Sequence, residues 1–488
     1  MNTLSKTLLL ALYAGTLTAC GGGSDTVTNP AQSTPPPTNS GPTEIVAVGP
    51  ISNFGSIVVN GVRYETDSAT FMIDDEVGSQ SDLSVGQIVS VKGTVDASGS
   101  TGTANTVLFD DVVKGPVQSV DIASQSLVVL GQTVLVVADT SFDDSFSPAS
   151  LDGVSTGQIV EVSGQFDANG DIVASRIEPK PAGTQFEVHG TVSNHDAAAQ
   201  TFNLAALVVD YGSAILDDFP GGMIANGDFV EAKGMSLGGA GELLATKVEL
   251  ESAVPGAGNG DFVEVEGFIS RFVSAEDFDV GMQPVTTTSA TVFEGGSAAD
   301  LGLNIKVEVE GVIDADGILV AEKVDIRRAR AVRITANVDS VDSGSSSVVI
   351  LGITIKIDAQ TRMEDKSDAD LNALRISDIN AGDYLEVRGI EFPAESGEVL
   401  AGRLEREDPD DEAILQGHVS SFDGTSLVIL GVTIDTNSGT QFEDAAGNAI
   451  SAADFFARLN VNMLIKAKGT EVSDSTIVAR EVEFEMEF

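Results

Sequence analysis

Apolar and polar residues alternate in a short stretch that recurs six times along the chain. In its second copy the stretch reads Gly157-Gln-Ile-Val-Glu-Val-Ser-Gly164, and the polar Glu161 separates Val160 from Val162. A period of two predicts a β-strand whose apolar side chains face a core and whose polar side chains face water. The residues at the polar position of the six copies are Ser90, Glu161, Glu231, Glu308, Glu386 and Lys466.

Each copy lies near the middle of a longer repeat of about 70–80 residues, which indicates a string of small domains rather than a solenoid. Around it the sequence predicts an opening strand, a hairpin, a variable segment and a last strand. Five short strands with a loop or helix before the fourth are typical of a small OB-like barrel. The alternative is that pairs of units share one sandwich. Because units this short are near the lower limit for independent folding, we expect neighbours to pack or edge strands to pair across units.

Three further motifs recur, the opening and the ending in five units each and the turn in three. They are an opening such as Gly115-Pro-Val117, a turn such as Leu130-Gly-Gln-Thr-Val134 and an ending such as Ala174-Ser-Arg-Ile-Glu178. Together with the central strand, these motifs resemble tandem copies of the bacterial domain of unknown function 5666, a family often found in lipoproteins. The resemblance covers about residues 45–486 and implies a fold and a periplasmic or surface setting. It carries no catalytic residue.

The sequence therefore predicts an all-β protein of six tandem, OB-like, five-stranded β-barrel domains that follow a signal peptide and a disordered linker. The predicted segments are a lipoprotein signal peptide at 1–19, a tether at 20–43, and domains at 44–111, 112–180, 185–252, 261–328, 331–407 and 412–488. The tether is rich in Gly, Ser, Thr and Pro and has no apolar period, which is typical of a flexible linker.

Two of the variable segments are rich in helix formers. In the fifth unit Ser367 is followed by Asp370, and in the sixth Ser451 is followed by Asp454. These pairs resemble N-caps, so both segments are predicted to form helices of one or two turns.

The N-terminal residues predict export and lipid anchoring. Lys6 precedes a short apolar run, and Leu17-Thr-Ala-Cys20 resembles the lipobox at which bacterial lipoproteins are cut and acylated. The run is too short for a permanent membrane-spanning helix. The alternative is an ordinary secretory signal that happens to contain cysteine. No Asp follows Cys20, which by the same resemblance favours an outer-membrane lipoprotein that faces the periplasm or the cell surface.

The charge of the chain restricts its partners. The formal net charge is −48, with 74 acidic and 26 basic residues, so nucleic acid is an unfavourable partner. Solubility explains such a charge, and a cation-binding surface is the sharper alternative. Cys20 is the single cysteine, which excludes an intramolecular disulfide.

The candidate catalytic motifs lack the structural context that their chemistry requires. Gly153-Val-Ser-Thr-Gly157 matches the hydrolase elbow, but a strand is predicted after the serine where the motif requires a helix. His189, His195 and Asp196 could ligate a metal, although histidines on a strand surface are the commoner explanation. The sequence thus predicts no enzyme, no catalytic residue and no cofactor, and it leaves the metal ligands unknown.

Two acidic turns resemble calcium loops. Asp167-Ala-Asn-Gly-Asp171 and Asp314-Ala-Asp-Gly317 place glycine fourth, whereas an EF-hand requires it at the sixth position. Asp or Asn followed by Gly between strands is the usual pattern of a hairpin turn. We therefore predict turns, and weak Ca²⁺ binding at several such loops stays open because the chain is so acidic.

The predicted function is a non-enzymatic structural or interaction module, held to the membrane by its acyl anchor and contacting an envelope protein or a glycan. Its recurring residues are mostly apolar or glycine, so the repeats supply a framework. The alternative is binding of oligosaccharide or divalent cations. OB-like faces bind sugars, but this requires aromatic platforms, for which Tyr64, Tyr211 and Tyr384 are the main candidates.

Overall fold

The structure is a computed structural model that describes residues 42–327, 331–393, 396–445 and 447–485. Within these ranges the regular secondary structure is almost all β-strand, with short 3₁₀ turns and a single α-helix, which confirms the predicted all-β class. No helix in the described ranges has the length and apolar character needed to cross a membrane.

The first three units contain nineteen strands. The first unit has β1 (Thr43–Asn53), β2 (Ile57–Val59), β3 (Val62–Glu65), β4 (Thr70–Ile73), β5 (Glu76–Gly78), β6 (Ile88–Val95) and β7 (Thr101–Phe109). The second has β8 (Val113–Asp121), β9 (Ser126–Val129), β10 (Gln132–Leu135), β11 (Ser141–Phe142), β12 (Ile159–Phe166) and β13 (Ile172–Lys180). The third has β14 (Phe186–Asp196), β15 (Thr201–Leu204), β16 (Leu207–Asp210), β17 (Ile215–Asp217), β18 (Phe229–Leu237) and β19 (Leu243–Leu250).

The last three units repeat the plan. The fourth has β20 (Phe262–Ser274), β21 (Asp277–Val280), β22 (Gln283–Thr286), β23 (Val292–Glu294), β24 (Lys306–Ile313) and β25 (Leu319–Arg327). The fifth has β26 (Val332–Asp342), β27 (Ser347–Ile350), β28 (Ile353–Lys356), β29 (Arg362–Asp365), β30 (Tyr384–Glu391) and β31 (Val399–Glu407). The sixth has β32 (Ala413–Phe422), β33 (Ser426–Ile429), β34 (Val432–Asp435), β35 (Gln441–Glu443), β36 (Ala449–Ile450), α1 (Ala452–Arg458), β37 (Leu464–Ser473) and β38 (Thr476–Phe484).

Every unit is a barrel, because its strand pairings return to the strand at which they start. In the second unit β8 pairs with β9, β9 with β10, β10 with β13 in parallel, β13 with β12, and β12 with β8. The other five units have the equivalent ring. This order, with one parallel pair between the third strand and the last, is the OB-like arrangement that the repeats predict.

The units pair through their first strands and form three large sheets. β8 pairs antiparallel with β14, and β26 pairs antiparallel with β32, so the second unit joins the third and the fifth joins the sixth. β1 instead pairs in parallel with β20, which joins the first unit to the fourth. This confirms the expectation that strands pair across units.

The alternating apolar residues of the central strands lie in the cores as predicted. Val160, Val162, Leu385 and Val387 have no exposed surface. One continuous core runs through the second and third units, and another runs through the fifth and sixth. Each two-unit sheet of this kind therefore shares its buried apolar surface, which offsets the small size of a single unit.

The prediction that the polar residue of each central strand faces water is wrong. Ser90, Glu161, Glu231 and Glu308 are 2–6% exposed, and Glu386 and Lys466 are half-buried. The physical reason is that first-strand pairing and packing between barrels cover the face opposite the core as well. The alternation of apolar and polar residues thus identifies two faces of the strand. The apolar face lies in the core, and the polar face lies at an interface between units.

The closing glycine of each central strand lies at a β-bulge. The strand register shifts at Gly93, Gly164, Gly234, Gly311, Gly389 and Gly469, in each case opposite the last strand of the unit. A Cβ added at any of these glycines would lie 2.1–2.6 Å from a carbonyl oxygen of that last strand. Glycine recurs there because the bulge brings two backbones too close for a side chain.

The variable segment has a different structure in the sixth unit than in the other five. Single-turn 3₁₀ helices occupy it at Gln80–Asp82, Leu151–Gly153, Pro220–Gly222, Ala298–Asp300 and Ile376–Asp378. In the sixth unit α1 forms as predicted, and the Ser451 hydroxyl accepts a hydrogen bond of 3.1 Å from the Asp454 amide.

The helix predicted after Ser367 is absent, so that prediction is wrong. The Asp365 carboxylate accepts hydrogen bonds from the backbone N–H groups of Ser367 and Leu371, at 3.2 and 2.9 Å, and the segment follows irregular turns. Asp370, the expected capping partner, has a φ of 45°, which is incompatible with a right-handed helix.

Candidate interaction site between the barrels

A row of three residues crosses the outer face of each barrel. It contains the residue before the opening glycine, the polar residue of the central strand and the penultimate polar residue of the repeat. In the second unit Lys114 lies opposite Glu161, which lies opposite Glu178. We call this the cross-strand row; in the other units it is Val48–Ser90–Leu108, His189–Glu231–Glu249, Glu266–Glu308–Asp325, Thr335–Glu386–Glu405 and Gln416–Lys466–Glu483.

In the second to fifth units the row places acidic side chains directly opposite one another, which is unfavourable unless cations intervene. The last strand supplies those cations. Lys180 Nζ lies 2.9 Å from a Glu161 oxygen and 3.2 Å from a Glu178 oxygen. Arg327 bridges Glu308 and Asp325 in the same way, at 2.5 and 2.8 Å. In these two units the row is therefore part of a network of ion pairs to the last strand.

Lys114 connects three units. Its Nζ lies 2.5 Å from Asp74, 2.8 Å from Asp111 and 3.0 Å from Glu187. Burial raises the pKa of the fully buried Asp111 well above its ordinary value, although the ammonium of Lys114 acts against this shift. The three carboxylates also lie within 4.8 Å of one another, and the lysine ammonium occupies the place that a cation would take.

Two buried arginines connect the second unit to the fifth. Arg176 pairs with Glu178 and, across the interface, with Glu364, at 2.5 and 3.0 Å. Its Nη1 also donates to the Val85 carbonyl of the first unit at 3.1 Å. Arg403 donates from the fifth unit to the Ala138 and Thr140 carbonyls of the second, at 3.0 and 2.9 Å. Charge-assisted bonds of this kind make the contact between the units specific.

A cavity of about 2410 Å³ lies between these units. Residues of the first, second, fourth, fifth and sixth units line it, so no single barrel forms it. Although the chain is strongly acidic, basic side chains are numerous on its wall, and they are Lys306, Arg327, Arg333, Arg362, Lys366, Arg388, Arg403 and Lys466.

Three of these arginines converge on one buried carboxylate. Arg333 and Arg388 contact Glu386 at 2.6 and 2.9 Å, and Arg403 lies 3.9 Å away. Although burial acts to raise it, the arginines hold the pKa of Glu386 below its usual range. Burial and the other two guanidinium groups in turn lower the pKa of Arg388. These three guanidinium groups and Glu386 form one ion network, on a wall that contains more acidic than basic side chains overall.

The fourth unit contains a second group of buried acids. Carboxylate oxygens of Glu264, Glu308 and Glu310 lie within 4.8 Å of one another. Burial raises the pKa of Glu264 well above its ordinary value, and Glu308 and Glu310 add to this shift. Burial also raises the pKa of Glu308 to about 7, against the opposing charge of Arg327.

This group predicts that the protein loses stability as the pH rises. Below pH 4.5 Glu308 is protonated in both the folded and the unfolded chain; between pH 4.5 and about 7 only the folded chain holds the proton. We therefore expect the free energy of unfolding to fall by roughly 1–3 kcal/mol between pH 5 and pH 8, measured by chemical denaturation at each pH.

The matched variant is Glu308→Gln, which cannot titrate. It should flatten the dependence of the unfolding free energy on pH over this range. A slope equal to that of the unmodified protein would contradict the assignment to Glu308.

The sequence-predicted site residues are dispersed. Cys20 and the signal peptide lie outside the described residues. Ser155 is exposed in the turn before β12, and a strand follows it as expected, so the residues around it do not form a hydrolase elbow. His189 and His195 are not brought together, because His195 Nε2 lies 2.7 Å from the Tyr211 hydroxyl and His189 packs against Phe229.

In the two acidic turns, an aspartate carboxylate accepts hydrogen bonds from backbone amides of the same turn. Asp167 Oδ1 accepts hydrogen bonds from the amides of Asn169 and Asp171, at 2.8 and 2.9 Å. Asp314 Oδ1 accepts from Asp316 and Ile318 in the same way, at 2.9 and 3.0 Å. These carboxylates stabilise hairpin turns, which is the structure that the sequence predicts for them.

The tyrosines do not provide sugar-binding platforms. Tyr64 has no exposed surface, and Tyr211 and Tyr384 are 9% and 7% exposed. Tyr384 donates a hydrogen bond of 2.7 Å to the Glu412 carbonyl, so its hydroxyl serves the junction between units. The three candidate aromatics are structural residues of the barrels.

Closed five-stranded barrels, repeated six times and joined through their first strands, define a multi-domain protein of repeated β-barrel modules. The model of the domain of unknown function DUF5666 matches residues 46–107, 114–178, 189–249, 266–325, 335–405 and 416–483. The chain therefore belongs to the DUF5666 family, as its motifs predict.

Other comparisons add little. No curated protein matches the chain. Among solved structures, the Drosophila protein titled Unr CSD456 is similar at 13% identity, over 45% of this chain and 98% of that one. The TM-score is 0.12, so this similarity carries no argument about fold or function.

Proposed function

We propose that the protein is a lipid-anchored component of the bacterial envelope that acts as a non-enzymatic, multi-domain structural or interaction module. The observation that carries the proposal is that six barrels are joined into one body by first-strand pairing and by buried ion pairs between units. Fusion of this kind holds binding surfaces from several units in fixed positions, which independent domains on linkers would not do.

The cavity between the barrels supports an interaction function. Its wall contains Arg333, Arg388 and Arg403 around the buried Glu386, within a chain whose overall charge is strongly negative. The wall combines acidic and basic side chains from several units, which suits it to a polar surface of an envelope protein. The anchor is inferred from the sequence around Cys20, and a position at the outer membrane follows from the residues after it.

Anchoring is tested by the variant Cys20→Ala. We expect the mature protein to begin at Cys20 with acyl chains, detected by mass spectrometry, and to fractionate with membranes. The variant should lose acylation and leave the membrane fraction, because the acyl chains on Cys20 are the proposed attachment to the membrane. Recovery of both proteins in the soluble fraction, with no acyl mass, would refute the anchor.

Sugar or cation binding is the second candidate function. The described tyrosines are buried, so a glycan would have to use other residues, and the acidic turns already bind their own backbone. A glycan array and a Ca²⁺ titration of the full-length protein separate this candidate from the module. Saturable high-affinity binding at one unit would contradict a purely structural function.

A further inference from the structure

The third unit places a histidine where the other units have a different residue. His189 precedes the opening glycine on β14 and lies opposite Glu231 on β18. Glu251 follows β19 directly, and its amide donates to the Phe229 carbonyl of β18 at 2.9 Å, which holds it beside the same strand. The metal-ligating atoms of His189, Glu231 and Glu251 all lie within 4.8 Å of one another.

The polar atoms of this group are buried and incompletely satisfied. His189 is 9% exposed and Glu231 is 3% exposed. His189 Nδ1 has no hydrogen-bond partner among the described residues, and Glu231 Oε1 is paired with Lys233 Nζ at 3.1 Å. Buried polar atoms without partners cost free energy, and a bound ion is one of the few groups that would satisfy them.

The surrounding charge favours a cation. Asp75, Glu231 and Glu249 form a second group of carboxylates, which shares Glu231 with the first group. Asp110 is a further acid that acts electrostatically on Glu251. Two lysines are close, but Lys233 is already paired with Asp75 and Glu231, at 3.0 and 3.1 Å. Acids therefore exceed bases around the group.

We propose that His189, Glu231 and Glu251 bind a divalent transition-metal ion of the class of Zn²⁺ and Mn²⁺, through one imidazole nitrogen and two carboxylates. An imidazole selects against Ca²⁺ and Mg²⁺, which prefer oxygen ligands alone. Three protein ligands leave at least one coordination position to water. The ion would connect β14, β18 and the end of β19 in the third barrel. The inference does not depend on the anchor or on the partner of the cavity.

The test uses the full-length protein, stripped of metal by a chelator and titrated with Zn²⁺ in a calorimeter. We expect one tight site per chain above the weak background of the acidic surface. His189→Gln and Glu251→Gln should each weaken that site at least about 10-fold. Co²⁺ bound in place of Zn²⁺ should give an absorption spectrum typical of nitrogen and oxygen ligands. This spectrum should be lost in His189→Gln.

His195→Gln is the matched control. It removes a histidine of the same strand that hydrogen-bonds Tyr211 and lies apart from the group, so it should keep the wild-type affinity. Zn²⁺ should raise the melting temperature of the wild type and of His195→Gln, because the ion binds the folded state. It should not raise that of His189→Gln.

Two results would overturn the proposal. One is Zn²⁺ binding of equal affinity in the wild type and in His189→Gln, and the other is an equal loss in His195→Gln. Circular dichroism of the metal-free variants checks folding. If His189→Gln does not fold, Glu251→Gln decides the matter, because Glu251 is half-buried and its amide hydrogen bond is kept.

Discussion

Replacing Arg176 with methionine is expected to lower the free energy of unfolding by about 3–5 kcal/mol. The Arg176 side chain is 6% exposed and pairs with Glu178 and Glu364, which are 12% and 19% exposed. Methionine fills a similar volume but leaves Glu364 without this cation, Glu178 with Lys180 alone, and the Val85 carbonyl without its donor. The cost of a broken buried ion pair comes mainly from the charges that stay behind.

The measurement is chemical denaturation followed by circular dichroism, together with scanning calorimetry. Because Arg176 joins three units, a separate early transition in the variant would indicate that the barrels lose contact before they unfold.

Arg480→Met is the control for this prediction. Arg480 also pairs with a glutamate, Glu412, but its side chain is 66% exposed. Solvent screens such a pair, so the change should cost about 0–1 kcal/mol. Equal losses in the two variants would show that the network between the barrels contributes no more than a surface pair.

Replacing Gly311 with alanine is expected to destabilise the protein by about 1–3 kcal/mol. A Cβ at this position would lie 2.1 Å from the Val320 carbonyl oxygen and 3.0 Å from the Ala321 Cα. Both atoms belong to the backbone of β25, so no side-chain rotation relieves the clash and the bulge itself must move. Thermal and chemical denaturation of the full-length protein measure the effect.

Gly302→Ala is the matched control in the same unit. No heavy atom lies within 4 Å of a Cβ added there, and the backbone of Gly302 is not in the left-handed region. Alanine should therefore be neutral or stabilise by about 0.4–1 kcal/mol, because it restricts the unfolded chain. If Gly311→Ala were as mild as Gly302→Ala, close backbone approach would not explain the recurring glycine.

Strand positions and the barrel plan could be predicted because they depend on local patterns. Val160 and Val162 alternate with polar residues, and both are fully buried. The helix after Ser451 could be predicted from its cap. The equivalent pattern after Ser367 failed because Asp365, held by Arg406, binds the amides that a helix would have used. That competition involves a residue of another strand, which a capping motif does not reveal.

Part of the candidate metal site was within reach of the sequence. His189 occupies the position before an opening glycine, and that position lies opposite the polar residue of the central strand in every repeat. Aligning the repeats in this register would have placed His189 beside Glu231. The contribution of Glu251 depends on how the chain leaves β19, which no repeat motif specifies.

By itself the sequence determined the class of the protein, the number of its barrels, the faces of their strands that enter a core and the glycines at their bulges, because each of these follows from contacts inside one repeat. Only the tertiary structure decided which barrels are partners. The patterns that recur in the first strands reflect pairing inside each barrel, so they do not distinguish one partner unit from another. Units two and three pair antiparallel with each other, and so do units five and six. β1 instead pairs in parallel with β20, which is distant from it in the sequence. That choice buries the acidic rows and assembles the ion networks and the cavity between the barrels.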